Sequence, residues 1–251
     1  MTEPLSVIII TRNVERELPA CLASAAWAAE LLVIDSGSSD RTIAVAQQHG
    51  ARVLRQKWLG FGRQKQFGVT QAKHRWVLCL DADERVTEEL RASIQAELKA
   101  PRFAAYRMKR CNRFMGRWLR HGEGYPDWSL RLFDRSRAAW SDDPVHEKVV
   151  ADGDIGEVRG DLLHESENGI ADYLVKQNNY TTLQAETLHA RGARVGVVKL
   201  ALNPLFRFIK FYFLRLGFLD GVPGLVHISI GCWNSFIKYA KLRERKTARG
   251  E

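Results

Sequence analysis

Short apolar runs and longer stretches with helical spacing alternate along the first hundred residues of the chain. The apolar runs predict buried strands at residues 5–11, 31–35 and 51–55, and a further strand that ends at Asp81. The stretches between and after them predict helices at residues 15–28, 40–49, 63–73 and 87–100. Because strands that alternate with helices form βαβ units, we expect an α/β fold with a mainly parallel sheet flanked by helices.

Polar segments follow three of these predicted strands directly. They are residues 11–13 after the first strand, 35–40 after the second and 81–84 after the fourth. Ligands of open parallel sheets lie beyond the carboxyl ends of the strands. We therefore expect these three segments to converge on one crevice.

The segment after the fourth strand is strongly acidic and reads Asp81-Ala82-Asp83-Glu84. Carboxylates so close together repel one another and are costly to desolvate, and a divalent cation relieves both effects. Mg²⁺ takes one or two protein carboxylates and fills its remaining positions with phosphate oxygens and water. The motif thus predicts a site for Mg²⁺ or Mn²⁺ with a bound diphosphate. The alternative is that the acids serve the start of the following helix.

Two further segments bring candidate chemistry to the same edge of the predicted sheet. Asp35 ends a strand at a glycine-containing turn, where it can accept hydrogen bonds from a base or a ribose. A turn with a purely structural role is the alternative. In residues 60–66, Arg63 and Lys65 carry charges that can neutralise phosphates, although a solvated helix start explains them as well.

The pattern changes in the second half of the chain. Strands are predicted at residues 103–110 and 128–133, with a loop rich in Arg, Gly and aromatic residues between them. From residue 172 onward the chain is predicted to be helical. Residues 195–245 mix large apolar side chains with cations in stretches too short for a membrane span, which needs ~20 residues. We expect an interfacial amphipathic helix, with helix packing or an oligomer contact as alternatives.

Composition narrows the class of protein without selecting a partner. The chain has 251 residues, of which 45% are hydrophobic and 27% charged, as in folded proteins. Its formal net charge of +9 favours nucleic acid, phosphosugars or an acidic membrane surface. The four cysteines have no metal-binding spacing, and the N-terminus has no signal-peptide pattern, so we expect a cytosolic protein.

The ordered segments 6–13, 33–40 and 80–84 resemble those of family 2 glycosyltransferases. That resemblance implies the GT-A fold, a nucleotide-sugar-binding α/β domain with a metal motif of the Asp-x-Asp type. Further segments resemble the bacterial lipopolysaccharide core glucosyltransferases of this family, namely residues 125–127, 131–133, 145–147, 160–164 and 217–221. With the helical pattern of the tail, we expect a catalytic domain over residues 1–170 and a helical, membrane-associating extension over residues 171–251.

The resemblance also implies roles for individual residues. Asp83 would be the main metal ligand, Asp81 would contact ribose or metal, and His164 is a candidate third ligand. The implied nucleotide-sugar-binding residues are Thr11, Asn13, Glu15, Asp35, Ser36, Gly37, Arg63, Gln64 and Asp81. For the catalytic base we favour Glu147 over Asp143, and a structural role for both is the alternative.

The implied reaction is an inverting, metal-dependent transfer of glucose from UDP-glucose to the inner core of lipopolysaccharide. The acceptor would be lipid-linked, and the enzyme would lie on the cytoplasmic face of the inner membrane. A polyprenyl-phosphate or capsule precursor is the alternative acceptor. A nucleotidyltransferase is disfavoured because no glycine-rich basic loop follows the first strand. We expect no nucleic-acid partner, because the aromatic residues of the tail lie among aliphatic ones.

Overall fold

A computed structural model describes residues 2–142, 147–165, 169–193 and 195–247 of the chain. The chain divides into two compact units. The first comprises Met1–Arg110 and Asp127–His164, and the second comprises Cys111–Pro126 and Glu165–Glu251. The domain boundary predicted at residue 170 stays a prediction.

The first unit alternates strands and helices over its first hundred residues and then continues mainly as strands. Its elements are β1 (Leu5–Thr11), α1 (Leu18–Ala25), β2 (Glu30–Asp35), α2 (Thr42–Gln48), β3 (Arg52–Arg55), α3 (Phe61–Gln71), β4 (Trp76–Asp81), β5 (Glu84–Val86), α4 (Glu88–Glu97), β6 (Ala105–Phe114), β8 (Asp127–Asp134), β9 (Ala138–Trp140), β10 (Val149–Ala151) and β11 (Ile155–His164). Strand β6 runs on past the end of this unit, and β7 (Arg117–Trp118) belongs to the second unit.

The main sheet has the strand order β3-β2-β1-β4-β8-β6-β11-β5. Strands β3, β2, β1 and β4 are parallel, and β8, β6 and β5 pair antiparallel with their partners. Thr11 pairs with Asp35, and Ile10 pairs with Asp81. The predicted α/β fold is confirmed, and the ends of β1, β2 and β4 meet at one edge as expected.

Alternate residues of β1 point to opposite faces of the sheet and enter two cores. Val7 and Ile9 belong to the core that includes α1 and α4, whereas Ile8 belongs to the core that includes α3. Helix α3 packs so closely that a Cβ at Gly68 would lie 2.5 Å from Cγ2 of Ile8. This tight packing fixes where the first turn of α3 lies relative to the sheet.

Strand β11 passes close to the start of α4 at Gly160. Any side chain at this position would require the backbone to move. Gly160 has φ +88°, and a Cβ there would lie 2.3 Å from the backbone nitrogen of Leu90. Thr87, just before α4, accepts the hydrogen bond of the Leu90 amide at 3.3 Å through its side chain. The helix start predicted at Thr87 is thus confirmed.

The second unit is mainly helical, as predicted from residue 172 onward. After β7 it contains α5 (Ile170–Ala190), α6 (Val197–Phe208), a π-helical turn (Ile209–Leu214), a 3₁₀ turn (Gly217–Asp220) and α7 (Gly221–Thr247). Helix α7 packs against both α5 and α6. Asp220 is buried and accepts the amide hydrogens of Arg120 and His121 at 3.0 and 2.9 Å.

Large apolar side chains are exposed along one continuous segment of the second unit. Neither α6 nor the π-helical turn has a buried residue. The exposed apolar residues of this segment are Val197, Val198, Leu202, Leu205, Phe206, Ile209, Phe213, Leu214, Leu216, Phe218, Leu219, Val222 and Leu225. We call them the apolar face.

Within the described ranges, no single helix has both the length and the apolar character to cross a membrane. By length and composition alone, one pair of helical segments bent by 74°, Val197–Leu214 with Gly217–Arg245, meets that test.

Candidate functional site

Asp35 holds the turn that follows β2. Its carboxylate accepts the amide hydrogens of Gly37 and Ser38 at 3.0 and 2.9 Å, and the hydroxyls of Ser38 and Thr11 at 2.5 and 3.1 Å. Burial alone would raise the pKa of Asp35, but these hydrogen bonds outweigh it and hold the pKa below its ordinary value. Asp35 is therefore an anion that fixes the turn at the sheet edge.

Asn13 and Glu15 join the loop after β1 to the loop after β2. The side-chain oxygen of Asn13 accepts the amide hydrogen of Ser39 at 2.8 Å, and Glu15 accepts that of Arg41 at 2.9 Å. Asn13 has φ +53°, a left-handed conformation that asparagine tolerates better than most residues. The two loops are therefore joined into one wall at the edge of the sheet, and this wall contains six of the predicted nucleotide-sugar-binding residues: Thr11, Asn13, Glu15, Asp35, Ser36 and Gly37.

Gln64 and Arg63 fasten the first turn of α3 to its surroundings. Gln64 is buried, and its amide nitrogen donates to the hydroxyl of Ser36 at 3.0 Å and to the carbonyl of Gln56 at 3.2 Å. Arg63 is exposed and forms two hydrogen bonds with Asp142, at 2.7 and 3.1 Å. The side chain of Gln64 is therefore held against Ser36 in the turn after β2, whereas that of Arg63 lies on the surface.

Asp81, at the end of β4, lies between two buried cations. Its two carboxylate oxygens lie 2.8 Å from Nζ of Lys65 and 2.8 Å from the guanidinium of Arg131. The side chains of Lys65 and Arg131 are only 4% and 7% exposed. Burial on its own would raise the pKa of Asp81, but both cations outweigh it and hold that pKa far below its ordinary value.

Glu84 extends this arrangement into a buried ionic cluster. Its side chain has no exposed surface, lies 2.9 Å from Arg131 and 3.5 Å from Arg110, and accepts the amide hydrogen of Asp81 at 3.0 Å. Arg110 also forms an ion pair with Asp127 at 2.6 Å. The cluster holds three cations and three anions, so it is electrically balanced. Most of the acidic turn is therefore neutralised by protein cations, which the sequence did not predict.

Asp83, the remaining acid of this turn, pairs with His164 at the end of β11. The carboxylate of Asp83 lies 3.2 Å from Nε2 of His164, and both side chains are partly exposed. His164 ends β11, which pairs with β5 so that His164 lies opposite Glu84. The structure thus brings together two residues that are 81 positions apart in the sequence, both predicted as metal ligands.

The carboxylate of Asp83 suits Mg²⁺ or Mn²⁺, and the imidazole nitrogen of His164 suits a transition metal such as Mn²⁺ better than Mg²⁺, with phosphate oxygens and water as the remaining ligands. In the described part of the chain, no group of three or more His, Cys, Asp or Glu side chains is arranged to hold a metal ion. Because Asp81 is already bound to two cations, Asp83 and His164 are the residues that could hold one.

Glu147 lies at the end of the loop between β9 and β10. A Cβ at Gly62 would lie 2.9 Å from Cβ of Glu147, so the Glu147 side chain starts close to the first turn of α3. Among the described residues, no hydrogen bond or ion pair of the Glu147 carboxylate is seen. Asp143, the second candidate for the base, lies outside the described residues.

Sequence reasoning missed Arg131 and Trp140 as parts of this site. The Trp140 ring lies 4.8 Å from Nζ of Lys65 and 5.8 Å from the guanidinium of Arg131, and its indole nitrogen donates to Cys79. One signal was available, because an arginine inside the apolar run of β8 requires a buried anion as its partner. Which anion is the partner of Arg131 can be decided only from the pairing of the strands.

Comparison with known proteins identifies the class of this fold and site. A family model described as glycosyl transferase family 2 matches residues 6–149, more than half of the chain. The chain belongs to glycosyltransferase family 2. The lipopolysaccharide core biosynthesis glycosyltransferase LpsC of Rhizobium meliloti is 31% identical over 250 residues, covering 96% of this chain and 93% of the relative. An uncharacterised glycosyltransferase of Rickettsia typhi is 30% identical, covering 96% and 87%.

A solved structure gives the same fold class. Residues 1–349 of S. aureus TarS, in complex with UDP-GlcNAc, match with a TM-score of 0.50 and 15% identity, covering 99% of this chain and 92% of that chain. At this identity the likeness concerns the fold alone. Together with the family match it confirms the predicted GT-A class.

Proposed function

We propose that this glycosyltransferase moves glucose from UDP-glucose to the inner core of lipopolysaccharide, with inversion at the anomeric carbon. The observation that carries the proposal is the 31% identity over 96% of the chain to LpsC, whose name assigns it to lipopolysaccharide core biosynthesis. The crevice beyond β1, β2 and β4 is where a parallel sheet binds such a donor.

The wall formed by the loops after β1 and β2 is the proposed uridine pocket. Both oxygens of Asp35 accept hydrogen bonds inside its turn, so Asp35 fixes the surface against which the nucleoside lies. Thr11, Asn13 and Glu15 extend that surface, with Ser36, Gly37 and Gln64 beside it. Arg63 is proposed to bind the diphosphate. An ion pair as exposed as Arg63–Asp142 contributes little to stability, so a doubly charged phosphate competes for Arg63.

Asp83 and His164 are the residues proposed to hold Mg²⁺ or Mn²⁺. When bound, such an ion neutralises the diphosphate and makes the nucleotide a better leaving group. Asp81 is proposed to contact the ribose or to support the metal site from its fixed position. The Lys65 and Arg131 charges keep Asp81 ionised and immobile in either role.

Glu147 is the proposed general base. The acceptor hydroxyl oxygen bonds to the anomeric carbon as the bond from that carbon to the phosphate oxygen breaks. The hydroxyl proton passes to the carboxylate of Glu147, and UDP leaves with the bonding electron pair. A single displacement from one face inverts the configuration, so an α-linked donor gives a β-linked product. General-base assistance of this kind contributes roughly 10²- to 10⁴-fold to the rate.

The second unit is proposed to hold the enzyme on the cytoplasmic leaflet, where a lipid-linked acceptor lies. It carries 16 Lys and Arg against 8 Asp and Glu, whereas the first unit carries 22 against 21. Nearly all the excess positive charge is therefore in the unit with the apolar face. Apolar area and cations together favour an anionic leaflet, at about 1 kcal/mol for each basic residue near the surface. We accordingly propose residues 1–170 as catalytic domain and 171–251 as membrane-associating extension.

A panel of nucleotide sugars assayed against truncated core oligosaccharides tests the proposal. We expect UDP release with UDP-glucose and a truncated core oligosaccharide, and a β-linked product identified by proton NMR. Transfer only to a polyprenyl phosphate, or a product with retained configuration, would contradict the acceptor or the mechanism respectively. Titration with UDP in the presence of Mn²⁺ and then of a chelator measures metal dependence independently of turnover.

A further inference from the structure

Two aromatic side chains are exposed side by side at the start of α3. Trp58 is 43% exposed and Phe61 is 58% exposed, and their rings meet edge to face with centroids 4.8 Å apart. Leu59 between them is exposed as well. Large apolar side chains grouped on a surface mark a binding site more often than isolated ones do. We call residues 58–61 the aromatic loop.

One end of the aromatic loop is fixed at the proposed donor pocket. The buried Gln64 binds Ser36 in the turn after β2 and also accepts the amide hydrogen of Leu59 at 3.3 Å. Gly60 has φ +94°, which allows the chain to turn into α3. The loop is thus held in one conformation without burial of its rings.

The first turn of α3, which follows directly on the aromatic loop, lies beside the proposed base. A Cβ at Gly62 would lie 2.9 Å from Cβ of Glu147, and one turn later Gln66 accepts the backbone amide hydrogen of Trp140 at 2.9 Å. Arg63 reaches the same β9–β10 loop through Asp142. The aromatic loop is therefore next in the chain to a turn that contacts both the loop after β2 and Glu147, and the acceptor must place its hydroxyl near Glu147.

We propose that Trp58 and Phe61 form the platform on which the saccharide acceptor stacks. This inference rests on the proposed function. One face of a hexose or heptose ring presents C–H groups that pack on an aromatic ring, while its hydroxyls point to the sides. The exposed carboxylate of Asp142 offers hydrogen-bond acceptors for those hydroxyls. Two rigid aromatic side chains also lose little conformational entropy when they bind.

Replacement of Trp58 by alanine tests the platform with a water-soluble core oligosaccharide, which removes any role of a lipid surface. We expect the acceptor KM to rise about tenfold, equivalent to about 1.4 kcal/mol, with kcat and the UDP-glucose KM within about twofold of wild type. Phe61→Ala should act in the same direction, and Trp58→Phe should restore most of the loss. Trp128→Ala is the matched control, since this exposed tryptophan is already stacked with Arg107.

Other outcomes separate the rival interpretations. A fall in UDP affinity on Trp58→Ala would make the pair a nucleobase contact, and loss of vesicle binding with unchanged KM would make it a lipid contact. Either result, or unchanged kinetics, would overturn the inference about the aromatic loop. Transfer by the wild-type enzyme would still support the proposed function. A wild-type enzyme that binds UDP but transfers to no core acceptor refutes the proposed function and the inference with it.

Discussion

Arg131 stabilises the acidic turn, and its replacement by methionine is the sharpest test of the ionic cluster. The guanidinium contacts Asp81 at 2.8 Å and Glu84 at 2.9 Å. Methionine has similar length but no charge, so Arg131→Met leaves a fully buried Glu84 with only Arg110 at 3.5 Å.

The expected cost of this change follows from the burial of the pair. Removal of one partner of a buried ion pair destabilises a protein by roughly 3–5 kcal/mol, because the remaining charge is left without compensation. Lys65 still neutralises Asp81, so we expect the lower part of that range, about 3 kcal/mol. Arg107→Met is the matched control, since the pair of Arg107 and Glu157 is 45% and 51% exposed and such pairs contribute about 1 kcal/mol or less.

The destabilisation should depend on pH in a defined direction. The folded-state pKa of Asp81 is depressed, so its contribution to stability is complete above its unfolded pKa, near ~3.9, and is lost as pH falls through the folded value. Arg131→Met weakens that depression. The difference in stability between wild type and variant should therefore be full at neutral pH and narrow below about pH 4.

Urea denaturation followed by tryptophan fluorescence measures these quantities. A cost below about 1 kcal/mol at pH 7, equal to that of Arg107→Met, would refute the reasoning that the cluster is buried and ionised. A difference that grows on acidification would also refute it. A cost of the expected size that persists unchanged at low pH would confirm the burial but not the assigned charge on Asp81.

The remaining predictions concern catalysis and attachment. Asp83→Ala should abolish transfer and Mn²⁺-dependent UDP binding measured by calorimetry, and near-normal turnover would exclude Asp83 as a ligand. Glu147→Gln should retain UDP affinity but lose roughly 10²- to 10⁴-fold in kcat. If Asp143→Asn alone retained UDP affinity but lost transfer, Asp143 rather than Glu147 would be the base. Phe213→Glu should weaken flotation with anionic vesicles about tenfold or more, because a charge replaces an exposed apolar ring, whereas Val150→Glu on the first unit should not.

The parallel half of the sheet was predictable because its signals are local. Each of β1, β2 and β4 is an apolar run close to the residues predicted, and each ends in the polar segment that marks its carboxyl end. Helix starts were visible for the same reason. Pro19 lies in the first turn of α1, and the side chain of Thr87 caps α4.

In the antiparallel half, the strands predicted at residues 103–110 and 128–133 are confirmed as β6 and β8, whereas the strands that are short or half-exposed were missed. Strands β5, β9 and β10 have three residues each, too few for a period to be recognised. Strand β11 is longer, but Gly156 takes one of its buried positions and Gly160 lies inside the strand, so its residue types do not show a regular apolar–polar alternation. These strands form through partners far along the chain, as β11 does with β5, so no local window contains their signal.

The candidate site, like the fold, could be predicted from the sequence only in part. Sequence alone located the acidic turn but not which acid remains available. Glu84 and Asp83 are neighbours, yet Glu84 is buried against Arg131, 47 residues away, and Asp83 faces His164. Only the pairing of β4 with β8 and of β5 with β11 decides between them.

The close approach of β11 to α4 at Gly160 has a consequence for how natural variation in this chain should be interpreted. Any side chain at this position must push the strand away from the Leu90 amide, four residues before the same strand delivers His164 to Asp83. A glycine with no functional group thus sets the position of an imidazole. Alleles altered at codon 160 should behave like active-site alleles although every residue in the crevice is unchanged.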